Sequence, residues 1–314
     1  MNLRGSLNNR FLLDAGLAPA TQRKYSIAVE LFVNWCDENH LQPQSFDHLD
    51  ELLTDYLHEL YITYDGSMKS LASETLYGIL TKIPRARGNL QTAQQCVKNW
   101  HKLHPSQSYP PLTWDLTVLI AVHMVRHDQL RAGIATLLAF DCFLRVGELV
   151  ELRGSDVADI GDSRLGSGFQ GVALRIRKAK TGKNQWVEVD HTDVRKLVQM
   201  LKSSTSAESR LFPFSAAEFR TLFKNSCAEL RLSSSYVPHS LRHGGATKWH
   251  LDGKPVNDIV HRDRWASTKS ATRYIQSGRA LLLNMNHPTS ITNAARVLSR
   301  RLLHFINLSL PQQH

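Results

Sequence analysis

Residues 236–276, with the sequence YVPHSLRHGGATKWHLDGKPVNDIVHRDRWASTKSATRYIQ, decide how the rest of the chain is interpreted. The pattern predicts a helix that begins at His239, after an extended approach, and stops near Gly253. His239 and Arg242 are three residues apart and therefore fall on one face of this helix. His243 follows directly, so the start of the helix carries three basic side chains.

The same stretch contains two aromatic residues at larger spacing. Trp265 and Tyr274 come 26 and 35 residues after His239. Pro255 suits the first turn of a second helix, and Tyr274 lies in a third short helical stretch, STKSATRYIQ. Taken singly, such residues are commonly helix caps, surface residues or core residues. Any functional interpretation therefore depends on their combination.

Two cations and a phenol at one point would suit phosphoryl transfer. The Arg guanidinium offers a planar fork of donors that matches phosphate oxygens. A Tyr hydroxyl can attack phosphorus and hold it covalently. Only about one part in 10³ of a Tyr with an ordinary pKa is ionised at pH 7, at a cost of roughly 4 kcal/mol. Neighbouring positive charge offsets that cost.

A second pair of charged residues follows an apolar helix predicted at 133–143, GIATLLAFDCF. Arg145 and Glu148 lie in the next segment, LRVGELVELRGSDV. An Arg just beyond a buried helix can be aimed rigidly into a cleft, where Glu148 can hold it by a charge-assisted bond. The alternative is a surface i,i+3 ion pair worth roughly a few tenths of a kcal/mol.

Residues 171–190 predict two strands around a turn. The apolar positions alternate in the first strand and return in the second, at Val172, Leu174 and Ile176 and then at Trp186 and Val189. The turn carries Lys178, Lys180 and Lys183, and exposed lysines at a hairpin tip are commonly just solvated.

The net charge of +10 is unevenly placed. Residues 1–110 hold 10 Lys and Arg against 11 Asp and Glu, whereas residues 111–314 hold 28 against 17. The second part therefore has a net charge of +11, which favours a polyanionic partner, most simply DNA.

The composition limits the class of protein. Hydrophobic content of 42% and charged content of 21% are typical of a soluble globular protein. No apolar run is long enough to cross a bilayer, and the amino terminus lacks a signal-peptide core. The four widely spaced cysteines fit reduced thiols inside the cell. No P-loop, H-E-x-x-H motif or acidic metal cluster occurs, which argues against a two-metal nuclease.

The order H-x-x-R-H, then W-x-S, then Tyr nine residues after the Trp resembles the carboxy-terminal signature of the tyrosine recombinase (phage-integrase-like) family. Arg145 and Glu148 match the family's first box, R-x-x-E-L followed by L-x-x-x-D-V. The wording PHSLRHGGAT…RWASTKSATRYIQ is most similar to recombinases of eukaryotic mobile elements, the DIRS-like retroelements and cryptons. Many bacterial members have Gly-His where this chain has Arg264 and Trp265. Trp at that place is a known variant of the family.

The resemblance implies roles for these residues. Tyr274 would attack the scissile phosphodiester to give a 3′-phosphotyrosine. Arg145 and Arg242 would clamp the non-bridging oxygens, and His239 would accept or relay the Tyr proton.

The remaining site residues have supporting roles in the same resemblance. Trp265 would donate its indole N–H to the phosphate or pack beneath it. Lys180 would be the general acid, with Lys183 as the alternative. Glu148 would orient the first box, and His243 would support the site from behind.

The resemblance also implies the partners. The protein would bind double-stranded DNA as a dimer on each site and a tetramer in the synapse, with no membrane, metal, ATP or other cofactor, integrating or excising a mobile element. It would be intracellular, and nuclear if its host is eukaryotic. A type IB topoisomerase shares such a site, and a domesticated DNA-binding protein without catalysis is a further alternative.

The predicted fold is mainly α with a small antiparallel β-sheet, and the resemblance implies a two-domain C-shaped clamp. Helical spacing is found at 21–35 and at about 49–62, 69–83, 89–103, 192–203 and 215–231. The expected organisation is a helical core-binding domain (1–103), a proline-rich linker (104–113), a catalytic domain (114–286) and a helical tail (287–314). A basic corner of the first domain, formed by Lys82, Arg85 and Arg87, would contact DNA, with simple solvation of these side chains as an equal alternative. Lys178 and Lys183 of the hairpin are the other expected DNA contacts.

The tail carries an apolar stripe. Its predicted members are Ala294, Val297, Leu298, Leu302 and Phe305, with three arginines largely off the stripe. Such a stripe must be buried, either on its own catalytic domain or, as the resemblance implies, in trans on a neighbouring protomer.

Overall fold

A computed structural model of the chain describes residues 16–105, 109–166, 168–179, 182–264, 268, 275 and 287–308. It confirms a mainly helical protein with one small antiparallel sheet. The chain divides into two compact units, Met1–Gln107 and Ser108–His314, so the division falls inside the segment predicted as a linker. None of the described helices combines the length and the apolarity that a membrane crossing requires.

Four helices make up the described part of the first unit. They are α1 (Pro19–Glu38), α2 (Phe46–Thr63), α3 (Lys69–Lys82) and α4 (Gln91–Leu103). The ends of these helices lie within about three residues of the predicted ends. A short 3₁₀ turn at Pro84–Ala86 lies between α3 and α4. Helix termini are the least specified part of such a pattern.

Two side chains fix where helices of the first unit begin. The Ser45 hydroxyl accepts a hydrogen bond from the His48 backbone N–H at 3.1 Å and caps α2. The buried Asp50 carboxylate accepts the N–H groups of Thr92 and Ala93 at 2.9 Å each. It thereby gives hydrogen-bond acceptors to two N–H groups in the first turn of α4. Its negative charge also interacts favourably with the positive end of the helix dipole.

The second unit is built around two helices that are buried nearly all round, α5 (Trp114–Arg126) and α6 (Leu130–Asp141). A helix without a polar face belongs in the centre of a domain. Gly133 of α6 allows the two to pack closely, because a Cβ there would lie 2.7 Å from the Ala121 carbonyl oxygen of α5.

The other described elements of this unit surround that pair. The helices are α7 (Val146–Val150), α8 (Thr192–Ser203), α9 (Ala216–Glu229), α10 (Pro238–Leu251), α11 (Val256–Asp263), α12 (Thr289–Arg300) and α13 (Leu302–Leu308). The strands are β1 (Val157–Ala158), β2 (Ala173–Ala179) and β3 (Gly182–Glu188), in the order β1-β2-β3, all antiparallel.

The predicted hairpin is confirmed, with one change in the second strand. Val172, Leu174 and Ile176 are buried as expected. In β3, however, Val187 points into the core with Val189 beyond it. Trp186 lies on the other face, because successive side chains of a strand alternate.

The tail helices α12 and α13 pack against α5 of the same chain. The buried positions are Ala295, Leu302 and Ile306, whereas Val297 is 56% exposed and Ala294 is exposed. Leu302 is buried as predicted, and Leu298 and Phe305 pack against the core. Within α12 the inward-facing position is Ala295 rather than the predicted Ala294, a displacement of one residue. This single chain shows cis packing, and packing in trans stays a prediction for the assembled state.

Candidate active site

Arg145 and Glu148 form a fixed unit at the start of α7. Arg145 is the N-cap residue, and the Glu148 carboxylate accepts both its backbone N–H at 3.0 Å and its Nη1 at 2.6 Å. The Glu148 side chain is 4% exposed and that of Arg145 is 26% exposed. The pair is therefore not the surface ion pair of the alternative interpretation, and the guanidinium is held while part of it faces outward.

Arg242 is completely buried in α10. Its Nη1 donates to the Phe143 carbonyl at 2.5 Å, and its Nη2 donates to the Asp263 carbonyl at 2.9 Å and forms an ion pair with the Asp263 carboxylate. Phe143 has a left-handed backbone (φ 51°), which turns the chain sharply at the end of α6. Arg242 and Arg145 are thereby anchored to the same turn.

Burial disfavours the charged form of both Arg242 and Asp263. It lowers the pKa of Arg242 to about 10, although Asp263 opposes the shift. It raises the pKa of the Asp263 carboxyl above its ordinary value, although Arg242 opposes that shift. Such a pair persists only because each charge has the other beside it.

Arg264 is a member of this cluster whose place in the site the signature did not predict. Its Nη2 donates to Glu148 at 2.9 Å, and Arg242 Nη1 lies 3.8 Å from the same carboxylate. Arg264 ends α11 with a left-handed backbone, φ 58°, a conformation that Gly adopts at no steric cost. The chain therefore accepts backbone strain at this position and gains a third arginine on Glu148.

Glu148 is charged in this environment. Burial would raise its pKa, but Arg264, the Arg145 backbone N–H, Arg242 and the Arg145 guanidinium together lower the pKa below its ordinary value. The carboxylate is thus the shared counter-ion of three guanidinium groups, and it keeps like charges together at one point.

His239 lies one turn before Arg242, on the same side of α10. Burial, then Arg242, then Arg145 lower the pKa of His239 to about 4. Its imidazole is therefore neutral near pH 7 and can accept a proton. The ring contacts Tyr109 edge to face at 5.7 Å and the buried His243 at 5.1 Å.

A pair of glycines brings α10 against its neighbours. A Cβ on Gly244 would collide with the Leu112 carbonyl oxygen and lie 2.7 Å from the Phe140 ring. A Cβ on Gly245 would collide with the Phe140 carbonyl oxygen. The Gly-Gly sequence after His243 is therefore what places the His239–Arg242 turn next to the end of α6.

A buried carboxylate forms ion pairs with two arginines on strand β2 of the hairpin. Asp156, the Asp of the predicted first box, accepts Nε of Arg175 at 3.0 Å and Nε of Arg177 at 2.8 Å. Arg175, Arg177 and Lys178 line a pocket that Glu148 also lines. Lys178 pairs across the strands with Lys183, and both side chains are exposed.

Three predicted site residues, Lys180, Trp265 and Tyr274, lie outside the described residues. The structure therefore brings together Arg145, Glu148, His239, Arg242 and His243. The predicted basic corner lies in the first unit, at the end of α3 and in the turn after it, where Lys82 is half-buried and the side chains of Arg85 and Arg87 are exposed.

The described cluster has the properties of an anion site. Anchored guanidinium groups converge near a neutral imidazole, and Arg242 and His239 are one turn apart on α10. This arrangement can stabilise negative charge that develops on a phosphate, and it can accept a proton from a neighbouring hydroxyl.

The chain belongs to the phage integrase family, which matches residues 115–280, more than half of the 314 residues. This confirms the resemblance to tyrosine recombinases inferred from the signature. The closer similarity to DIRS-like and crypton recombinases stays a prediction. A comparison with curated proteins yields no match.

Solved structures of low identity share the fold. A lambda integrase dimer bound to a COC' core site gives a TM-score of 0.55 at 17% identity, over 88% of this chain and 77% of that chain. A lambda integrase(75-356) dimer bound to a COC' core site gives 0.54 at 17% identity, over 88% and 96%. The XerA recombinase is 16% identical over 93% of this chain and 95% of that one, but its TM-score of 0.42 supports no argument.

Proposed function

We propose that the protein cleaves and rejoins DNA at specific sites through a covalent 3′-phosphotyrosine. The observation that carries the proposal is the cluster of Arg145, Glu148, Arg242 and a neutral His239 within the residues that match the family. Fixed cations beside a proton acceptor suit transesterification at phosphorus, because the cations stabilise the charge that develops there.

In the proposed step one bond to phosphorus forms as another breaks, and one proton moves at the attacking oxygen and one at the leaving oxygen. The Tyr274 oxygen bonds to phosphorus as the bond from phosphorus to the 5′ oxygen breaks. His239 takes the phenolic proton, and Lys180 gives a proton to the leaving oxygen. Arg145 and Arg242 bind the non-bridging oxygens, where losing one such donor costs roughly 3 kcal/mol or more.

Three further residues complete the proposed site. Trp265 donates its indole N–H to the phosphate or packs beneath it, Glu148 orients Arg145, and His243 supports His239. The phosphotyrosine keeps the energy of the phosphodiester, so the reaction needs neither ATP nor a metal. Cleavage should persist in EDTA, and a strict magnesium requirement would contradict this mechanism.

The nucleophile is tested with a suicide DNA substrate, on which a cleaved strand cannot be rejoined. Tyr274→Phe should abolish the covalent protein–DNA adduct and leave DNA affinity nearly unchanged, because only one hydroxyl is lost. Tyr236→Phe is the matched control, since its hydroxyl is buried and bonded to His287 Nε2 at 3.0 Å. An adduct that survives in Tyr274→Phe and disappears in Tyr236→Phe would assign the nucleophile to Tyr236.

The DNA partner is supported by the net charge of +11 over residues 111–314 and by the family. We propose that residues 1–103 grip the duplex, with Lys82, Arg85 and Arg87 on its phosphates, and that residues 114–286 cut it. Contacts with phosphates position the protein on the duplex and do not read its base sequence. The biological outcome would be integration or excision of a mobile element, in the nucleus if the host is eukaryotic and in the cytoplasm or nucleoid otherwise.

The assembly would be a dimer on each site and a tetramer in the synapse. In the described single chain the tail packs on α5, so trans packing requires it to leave this position on DNA. Truncation after residue 286 should keep single-site cleavage and lose stable synapsis and recombination. Normal recombination by the truncated protein would show that no exchange of the tail is needed.

A further inference from the structure

A cluster of metal-binding side chains lies on the second unit, on helices that carry none of the proposed catalytic residues. His123 is in the last turn of α5, His127 is the residue that caps this helix, and Glu229 is the last residue of α9. One nitrogen of each imidazole and one Glu229 oxygen all lie within 4.8 Å of one another. The His123 and His127 ring centroids are 4.4 Å apart, and His123 Nε2 lies 2.7 Å from Glu229 Oε2.

The backbone holds the three positions in place. His123 and His127 are four residues apart, so they share one face of the helix end, and the His127 N–H is bonded to the His123 carbonyl at 3.2 Å. Met124 and Val125 on α5 are buried, as are residues of α9 that precede Glu229, and the two helices pack on each other. The core thus fixes the helix ends while the three side chains reach the surface.

We propose that His123, His127 and Glu229 bind a zinc-type divalent transition metal ion. Two imidazole nitrogens and one carboxylate oxygen form a ligand set that Zn²⁺ favours, with bonds of about 2.0–2.2 Å. The fourth position of a tetrahedral site would hold water. Mg²⁺ and Ca²⁺ prefer all-oxygen sites and should bind poorly here.

The change needed for binding is small. Ligand atoms around a tetrahedral ion at these bond lengths are about 3.3 Å apart. The hydrogen bond between His123 and Glu229 therefore opens slightly, and the remaining ligand atoms close in by rotation of exposed side chains.

The bound ion would join the ends of α5 and α9. Because the site would be formed only in the folded chain, binding would raise the temperature of unfolding of the second unit. Helix α5 is also the surface on which the tail packs, so the ion would stiffen that support. This inference does not depend on the proposed DNA chemistry.

The test is a Zn²⁺ titration of the full chain without an affinity tag, by calorimetry and by competition with a chromogenic chelator. Wild-type protein should bind one equivalent that both His123→Ala and Glu229→Gln remove or weaken at least tenfold. His58→Ala, an exposed histidine on α2, is the matched control and should bind as wild type does. Unchanged binding by His123→Ala and by Glu229→Gln would overturn the proposal.

Two further measurements separate a site from adventitious binding. Zn²⁺ should raise the thermal unfolding temperature of wild type and of His58→Ala but not of His127→Ala, and Co²⁺ should give the visible absorption of a tetrahedral ion. An equal thermal shift in His127→Ala would contradict the inference. Far-ultraviolet circular dichroism verifies that each variant folds, and adduct formation through Tyr274 should proceed with or without the ion, so this inference and the proposed function can fail separately.

Discussion

The shared carboxylate of the arginine cluster gives the sharpest prediction about this molecule. Glu148→Gln keeps the side chain's size but removes the negative charge from a group that contacts Arg145 at 2.6 Å, Arg264 at 2.9 Å and Arg242 at 3.8 Å. The amide also has only one oxygen, so one guanidinium must face its NH₂ group. We expect both stability and cleavage to fall.

The size of the loss follows from the burial of the charges. The side chains of Glu148 and Arg264 are 4% and 3% exposed, so solvent does not screen their interaction. Removing one partner of such a buried pair costs about 3–5 kcal/mol. A loss of about 3 kcal/mol reduces the folding equilibrium constant by roughly 150-fold. It should lower the unfolding temperature of a unit of this size by about 6–12 °C.

Urea unfolding and adduct formation measure the two effects on the same preparations. Glu151→Gln is the matched control, because it lies one residue beyond α7 and its pair with Arg210 at 2.8 Å is exposed. That exposed pair should contribute less than about 1 kcal/mol. Equal effects of Glu148→Gln and Glu151→Gln would refute the idea that Glu148 organises the cluster.

The difference in unfolding free energy between wild type and Glu148→Gln should depend on pH with a definite sign. The pKa of Glu148 is lowered in the folded chain relative to an ordinary value of 4.5. Its contribution is therefore complete above about pH 4.5 and is lost as the pH falls through the lowered value. The gap in unfolding free energy between wild type and Glu148→Gln should be constant from pH 7 to pH 5 and shrink below pH 4.5. A gap that grows with acid would contradict this assignment.

Three other predictions concern a base, a glycine and an acid. The pKa of His239 falls from 6.5 to about 4 on folding, so the unfolded chain takes up its proton first and wild type should lose stability as the pH falls from 6.5 to 4. His239→Asn should lose less over that range in urea unfolding at each pH, and a steeper loss would be against this sign. Gly244→Ala should destabilise by about 1–3 kcal/mol despite its higher helix propensity. Gly147→Ala, with open space around it, should be neutral or stabilising, so similar unfolding temperatures for the two variants would argue against close packing at Gly244. Lys180→Ala should regain cleavage on a substrate whose leaving 5′ oxygen is sulfur, which needs no protonation, whereas such rescue for Lys183→Ala instead would move the general acid there.

Much of the fold was predictable because its determinants are local. Apolar spacing marked the helices of the first unit and the hairpin to within a few residues, and Pro238 and Pro255 marked where α10 and α11 begin. The signature identified the family because H-x-x-R-H, W-x-S and Tyr occur in order at set spacing. The helix and turn signals each lie within a window that one helix or turn spans, whereas the signature is recognised from the fixed order and spacing of its parts over 36 residues.

The phase of the tail could not be read in the same way. The apolar residues that pack inward keep helical spacing across the break at Arg301 between α12 and α13: Ile291, Ala295, Leu298, Leu302 and Ile306. The predicted stripe shared Leu298 and Leu302 with this set but also took Ala294 and Val297, of which Val297 is 56% exposed. Packing on α5 decides the phase, and that surface is more than 160 positions away in the chain.

The sequence by itself determined the family, the helices and the residue types of the site. Only the tertiary structure decided which charges share a counter-ion: Arg264 reaches Glu148 across 116 positions, and Asp263 holds Arg242. It likewise brought Glu229 to His123 from 106 positions away. The physical reason is that an ion pair or a ligand set depends on distances of a few ångströms in space, and these are fixed by how buried helices pack rather than by spacing along the chain.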